Sequence, residues 1–334
     1  MRFEPRFCPN SDCPSFRTHH FRWRRKGRFA RKCDGQSVPR FLCLECRHTF
    51  SSQTFRLNYR LRKPTLHLAL FKDFVSKTTM RQSARNLGCT RRTVAHRLAL
   101  LGAHCRKFHA AMLARARKRG GIEGVFQLDE LETFEHNRRL KPVTVPVLIE
   151  RSSFFIVHVN HAPLPCRGGL SKALREKKAA LEAEFGVRKS GSRAAVCESF
   201  ARLRAVHHRR ALVSVQTDRK ASYATTLQRV FGWRLRHEQY SSTARRSYGN
   251  ALFPINHTLA MMRDGISRLV RRTWAAAKLR ERLGWHLWIW TAYRNYVRGI
   301  TNRAYMTTPA MALGVDDKRW KLSELFAWRV LRSA

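Results

Sequence analysis

Apolar residues return along this chain at two different spacings, and the points where one gives way to the other divide it. After Pro64 they come at helical intervals, Leu66, Leu70, Phe71, Phe74 and Val75, which predicts a supporting helix with one buried face. Met80 to Leu87 and Thr90 to Leu98 repeat that spacing on either side of Gly88, which permits the positive φ that ends a helix. Thr90 is a ready N-cap for the second of the pair. Ala84, Leu87, Val94 and Leu98 fall where a helix-turn-helix buries its joint, leaving Arg91, Arg92, Thr93, His96 and Arg97 on the outer face. A helix over 102–118 is expected next, and Arg115 to Arg119 with Gly120-Gly121 reads as a basic linker and domain boundary.

Beyond that linker the period shortens. Val125 to Leu128 predicts a short buried strand closed by Asp129, and Val143 to Ile149 and Phe154 to Val159 predict two more, joined by Glu150-Arg151-Ser152-Ser153. Residues 166–210 are polar and basic, with helix formers from Leu170 to Phe185 and from Ala194 to His207 around a Lys189-Ser190-Gly191-Ser192 break. Ala211 to Thr217 is then a fourth strand, closed by Asp218, followed by a helix over 222–231 and a strand near Trp233 to Glu238. A meander of three strands, a helical crossover, a fourth strand and further helices is the order of a ribonuclease-H-like α/β fold, in which neighbouring strands can set two aspartates side by side. From Ile255 a helix buries Ile255, Leu259, Met262, Ile266 and Leu269, while Asn256 and Arg263 share another stripe, about 20° apart in rotation. Trp274, Leu279, Leu283, Leu287, Trp290 and Tyr293 predict a last long helix, with Trp285 and Trp288 expected in core or subunit packing.

Charge changes the meaning of the first helices. Among 334 residues, 67 are basic and 22 acidic, a net +45 spread over the whole length. A surface that positive repels itself unless an anion covers it, and a polyphosphate backbone is the usual anion. Nucleic acid is therefore the expected partner, and with the helix-turn-helix spacing it is expected to be double-stranded DNA, with Arg91, Arg92, Thr93, His96 and Arg97 as candidates for its major groove. No run approaches the ~20 apolar residues of a membrane span and no basic-then-apolar leader opens the chain, so a cytoplasmic, nucleoid-associated protein without a membrane partner is expected.

Five of the nine cysteines lie between Cys8 and Cys46. Cys8 with Cys13 and Cys43 with Cys46 are two short-loop pairs on either side of a basic, aromatic segment, the spacing of a four-cysteine zinc ribbon. The ion would be structural, because four thiolates leave no open position and so small a segment lacks a sufficient core. Cys33, His19 and His20 lack the paired spacing of the other four. Arg22, Arg24, Arg25, Lys26 and Arg28, interleaved with Phe21, Trp23 and Phe29, suit phosphate contact and base or sugar packing.

Two close carboxylates repel each other and need a cation. Oxygen-only ligands in a polyphosphate-binding protein point to magnesium or manganese at Asp129 and Asp218, in a two-metal site that activates a water or 3′-hydroxyl. Glu130 projects to the opposite side of the strand and is expected to support the site. Asn256 can complete the shell with its carbonyl oxygen, and Arg263 can clamp a phosphate near it. Asp264, Glu238 and Glu281 are the carboxylate substitutes for Asn256; Asp264 lies about 100° further round the helix. The chain thus divides into a zinc ribbon (1–60), a helix-turn-helix domain (61–120), a catalytic domain (121–310) with a helical insertion at about 166–210, and a C-terminal tail (311–334).

Over nearly its whole length the chain resembles zinc-ribbon insertion-sequence transposases with an Asp-Asp-Glu integrase-type core. The resemblance is carried by the cysteine pairs with Arg40-Phe41-Leu42-Cys43 and Thr49-Phe50-Ser51, by Leu128-Asp129-Glu130 and by Thr217-Asp218. It continues in Asn256-His257-Thr258-Leu259 followed by Arg263 and in Arg268-Leu269-Val270-Arg271-Arg272-Thr273, while Thr308 to Gly314 resembles the closing segment of several transposase families. It implies binding to terminal inverted repeats, metal-dependent cleavage that exposes 3′-hydroxyls, and their transfer into target DNA. Two ends must be synapsed, so at least a homodimer is expected. The chain departs from the common pattern at Asn256, where most relatives carry glutamate and some asparagine. A domesticated or inactive DNA-binding regulator derived from such an enzyme is the alternative that Asn256 permits.

Overall fold

The computed structural model describes residues 3–16, 18, 21–241, 243, 247, 249–271 and 274–328. His19, His20, Arg272 and Thr273, singled out in the sequence, lie outside the described residues. The chain forms two compact units, Met1–Leu68 with Leu322–Ala334, and Ala69–Lys321.

In the first unit, β1 (Trp23–Ala30), β2 (Ser37–Cys43) and β3 (Thr49–Ser51) form an antiparallel sheet in that order. Phe41 lies opposite Phe50, and Phe3, Phe21, Trp23 and Phe55 pack around them with Cys8, Cys13 and Cys43. A core this small gives little hydrophobic stabilisation. On the edge strand β1, Arg24 to Ala30 are all exposed, and pairing with β2 shifts between Arg25 and Arg28, where Gly27 supplies a φ of 78°.

α1 (Leu66–Val75) leads from the first unit into the second and buries Leu70, Phe71 and Phe74. α2 (Met80–Asn86) starts at a capping box between Thr79 and Gln82, and α3 (Arg91–Lys118) starts at Thr90, whose hydroxyl accepts the Thr93 N–H. The separate helix expected over 102–118 is instead the continuation of α3, which runs unbroken for 28 residues. Gly102 does not stop it. A Cβ there would come within 2.5 Å of Trp285 Cβ, so glycine at this point lets a later helix approach closely.

Next come β4 (Val125–Phe134), β5 (Pro142–Glu150), β6 (Ile156–Val159), β7 (Ala162–Pro163), α4 (Lys172–Phe185) and α5 (Ser192–Val206). β8 (Val213–Asp218), α6 (Ala221–Phe231) and β9 (Leu235–Tyr240) follow. The sheet has the order β6-β5-β4-β8-β9, with β7 paired to β5. β4, β5 and β6 meander antiparallel, and β8 and β9 run parallel to β4. This mixed α/β arrangement is compatible with a ribonuclease-H-like core. β5 is buried along its whole length, whereas α4 buries none of its residues. β4 does not end at Leu128 as its apolar run predicts. β5 pairs with it as far as Phe134, while pairing with β8 stops at Leu128, so Asp129 stands inside a strand where β4 parts from its parallel neighbour.

α7 (Phe253–Gly265) is shorter than its buried stripe predicts. Ile266 and Leu269 are buried beyond its end. α8 (Arg280–Ala292) is buried on nearly all sides, through Leu283, His286, Leu287, Trp288, Ile289 and Trp290, as befits a core helix. Trp274 and Leu279, expected on its stripe, are exposed and precede it, and Tyr293 opens a π turn after it. α9 (Pro309–Ala312) closes the second unit's helices and α10 (Leu322–Ala327) belongs to the first. Among the described residues no helix is long and apolar enough to cross a membrane.

Candidate functional site

Strand register fixes the neighbourhood of the two aspartates. Gln127 lies opposite Gln216 and Leu128 opposite Thr217 on β4 and β8, so Asp129 and Asp218 come next on adjacent parallel strands. Side chains alternate across a strand, so Gln127, Asp129, Gln216 and Asp218 share one face of the sheet and Glu130 projects from the other. Both aspartates are half-buried. Asp218 Oδ1 accepts the backbone N–H of Lys220 at 3.0 Å, and Asp129 Oδ1 accepts that of Glu130 at 2.7 Å.

On the opposite face, Glu130 Oε1 accepts the hydroxyls of Thr144 at 2.9 Å and Ser192 at 2.6 Å. Its Oε2 accepts the Tyr223 hydroxyl at 2.8 Å and the Lys220 ammonium. Burial alone would raise the Glu130 carboxyl, but the bonds from Lys220, Ser192 and Tyr223 win and hold it below its ordinary value. The Tyr223 phenol moves the other way, pushed up by burial and then by the charges of Glu130, Asp129 and Asp218. One hydroxyl therefore feels all three carboxylates.

Asn256 stands half-buried in the first turn of α7. The residue before that helix is Leu252, which offers no side-chain cap. The cap comes from the sheet: the Ile255 N–H donates to Gln127 Oε1 at 3.0 Å, while Gln127 Nε2 donates to the Ala251 carbonyl at 2.6 Å and to Gln216 Oε1 at 2.8 Å. Gln216 Nε2 donates in turn to Glu238 Oε2 at 2.9 Å, which also accepts the Tyr240 hydroxyl at 2.8 Å. The first turn of α7 is thus stitched to the aspartate face of the sheet, two residues before Asp129.

Arg263 is half-buried near the end of α7. Its guanidinium donates to the carbonyls of Leu269 at 3.1 Å and Glu132 at 3.3 Å, and burial, then Arg271 and Arg138, lower its pKa. In this structure Arg263 braces β4 against the segment after α7. Of the carboxylate substitutes, Glu238 lies opposite Gln216, one row behind Asp218, and is held below its ordinary value by Gln216 and Tyr240. Asp264 is exposed and pairs with Lys77 at 3.5 Å, and Glu281 is exposed on α8.

On α3, Arg91, Arg92 and His96 are exposed and Thr93 is half-buried. Arg97 departs from the expectation: it is 4% exposed, and burial lowers its pKa. It follows buried Val94 by three residues, which puts it on the packed face of the helix rather than the outer one.

In the first unit, the Sγ atoms of Cys8, Cys13, Cys43 and Cys46 lie within 4.8 Å of one another, the one such group among the described residues. Cys8 and Cys46 are 3.6 Å apart and Cys13 and Cys43 3.7 Å. Four thiolates around zinc at ~2.3 Å form a tetrahedron with edges of about 3.8 Å, so this group fits the ion. Arg47, at a φ of 56°, turns the chain after Cys46, and the Cys43 N–H donates to the His48 carbonyl at 3.0 Å. Burial pushes the Cys8 and Cys13 thiols up, while at Cys46 burial is overcome by bonds from the His48 backbone and Asn10 that bring it to about 7. Cys33 is exposed and outside the group.

Sequence reasoning missed Gln127, Gln216, Ser192, Lys220 and Tyr223. One signal was available: Gln127-Leu128-Asp129 and Gln216-Thr217-Asp218 repeat the same Gln-x-Asp on two strands. No protein family and no curated protein matches this chain. Among solved structures, the catalytic domain of the Mos1 mariner transposase is similar over 59% of this chain and 90% of that one, at 14% identity. The TM-score is 0.24, too low to establish a shared fold.

Proposed function

We propose that the protein is a DNA transposase of an insertion sequence, which binds terminal inverted repeats, cleaves DNA with a divalent metal and joins 3′-hydroxyl ends to target DNA. The observation that supports this most is the register of β4 and β8, where Asp129 and Asp218 follow directly paired residues while the first turn of α7, with Asn256, is tied to the same face. The sequence resemblance to zinc-ribbon insertion-sequence transposases supplies the reaction class. Asp129, Asp218 and the Asn256 carbonyl form an all-oxygen donor set, which suits magnesium or manganese rather than a softer ion. Bound there, such ions activate a water or 3′-hydroxyl and stabilise the leaving oxygen of an in-line displacement. The two aspartates orient that chemistry, and the Glu130 cluster behind them holds β4 to the starts of α5 and α6. Arg91, Arg92, Thr93 and His96 read the groove, the exposed arginines of β1 meet phosphates, and zinc at the four cysteines holds the ribbon. The functional modules are the ribbon (1–60), the helix-turn-helix (61–120) and the catalytic domain (121–310). They act in the cytoplasm as at least a dimer, because two ends must be joined.

Asn256 favours one second reading, a regulator that kept its DNA-binding parts while its metal site decayed. Strand transfer by wild type, Asn256→Ala and Asn256→Glu separates the two. The transposase reading predicts an active wild type and a loss of about tenfold or more in Asn256→Ala. An inert wild type beside an active Asn256→Glu would establish decay.

A further inference from the structure

The first turn of a helix leaves backbone N–H groups without partners, and a side chain just before the helix ordinarily accepts one of them. α7 lacks that cap, because Leu252 has nothing to offer. Gln127, fully buried on β4, fills the role from another element. Its oxygen takes the Ile255 N–H at 3.0 Å and its nitrogen holds the Ala251 carbonyl at 2.6 Å, so one amide grips the chain on both sides of the helix start. The second N–H of the same amide reaches Gln216 Oε1 at 2.8 Å, which fixes the orientation of the amide. Asn256 is the residue after Ile255, and Asp129 is two residues after Gln127 on the same face. Gln127 therefore ties the start of α7 directly to the strand that carries Asp129.

We propose that Gln127 is a positioning residue of the metal site, which by capping α7 from β4 sets where the Asn256 side chain stands relative to Asp129 and Asp218. This rests on the metal-site reading of those three residues. A neutral amide suits the task, since its two donors and one acceptor are used at once and none titrates. Gln216 repeats the arrangement on β8, where it orients Gln127 and is itself held by Glu238 and Tyr240. The repeated Gln-x-Asp thus places one orienting amide behind each aspartate. Removing partners that orient metal ligands costs about 10–100-fold in metal affinity.

The test is Mn²⁺ binding by the full-length protein, measured by calorimetry. Gln127→Met and Gln127→Asn remove the cap, the second by being too short to reach Ile255, and each is expected to weaken binding about tenfold or more. Gln127→Glu keeps an oxygen for the Ile255 N–H but turns a second acceptor toward the Ala251 carbonyl and Gln216 Oε1, so it is expected to weaken binding as well. In an Asn256→Ala background the Gln127 substitutions should have no further effect, because they act through Asn256. Full additivity in that background, or unchanged affinity in both cap-removing variants, overturns the proposal while leaving the metal site standing. A wild type whose Mn²⁺ binding is absent, or is insensitive to Asp129→Ala and Asp218→Ala, overturns the site reading and the proposal together. Melting temperatures of the metal-free variants report whether each is folded, and either cap-removing variant suffices.

Discussion

Glu130 shows how much of this site lies behind its candidate ligands. Four donors converge on its carboxylate, from β5, α5, α6 and the residue before α6, and they outweigh the burial that would otherwise neutralise it. A carboxyl held below its unfolded pKa of about 4.3 contributes stability in full above that pH and loses it as pH falls through the folded value. Glu130→Gln should therefore cost about 2 kcal/mol at neutral pH and progressively less on the acid side. Urea melts from pH 7 to pH 3 check this, and a constant difference across that range would refute it. Asp129 and Asp218 are legible as candidates in the sequence because each follows an apolar run. Their setting is not, because Ser192 lies at the start of α5 and Lys220 and Tyr223 at the start of α6, with no periodic signal to join them, and only the fold gathers them.

At the scale of elements, the hydrophobic pattern places most helices and strands and misjudges where they stop. The apolar run before Asp129 cannot reveal that β5 continues to pair with β4 as far as Phe134. A separate helix is expected over 102–118, yet α3 runs on unbroken and Gly102 admits Trp285 against it. Counting along that helix separates two arginines that composition alone treats alike. Arg91→Ala should lower the dependence of DNA affinity on salt by about one phosphate contact, measured as the slope of log K against log salt. Arg97→Ala should leave that slope unchanged and lower the melting temperature of the second unit. The opposite pairing of effects would mean that the outer face of α3 has been misassigned. Zinc at the four cysteines would act in a different way. The ribbon's aromatic core is small, and its four thiols gather within 4.8 Å of one another, a spacing that suits one ion. Chelation should release one zinc per chain and abolish the near-ultraviolet signal of Trp23, while Cys43→Ser should purify without zinc. A chelated protein that kept this signal would show that the ribbon folds unaided.

For the whole molecule, a net charge of +45 makes nucleic acid the natural counterpart of the surface, but charge cannot distinguish a DNA-cutting enzyme from a DNA-holding one. That distinction rests on the two aspartates that strand register makes neighbours. Removing either should leave binding nearly intact, since affinity comes mainly from exposed arginines and lysines, and should abolish chemistry. The decisive measurement is Mg²⁺-dependent cleavage of DNA taken from either flank of the coding sequence, where the account expects terminal inverted repeats, by wild type, Asp129→Ala and Asp218→Ala, with DNA affinity measured in parallel. Cleavage by wild type alone, at nearly equal affinities in all three, is the predicted result. Cleavage that persists in either variant would contradict the account.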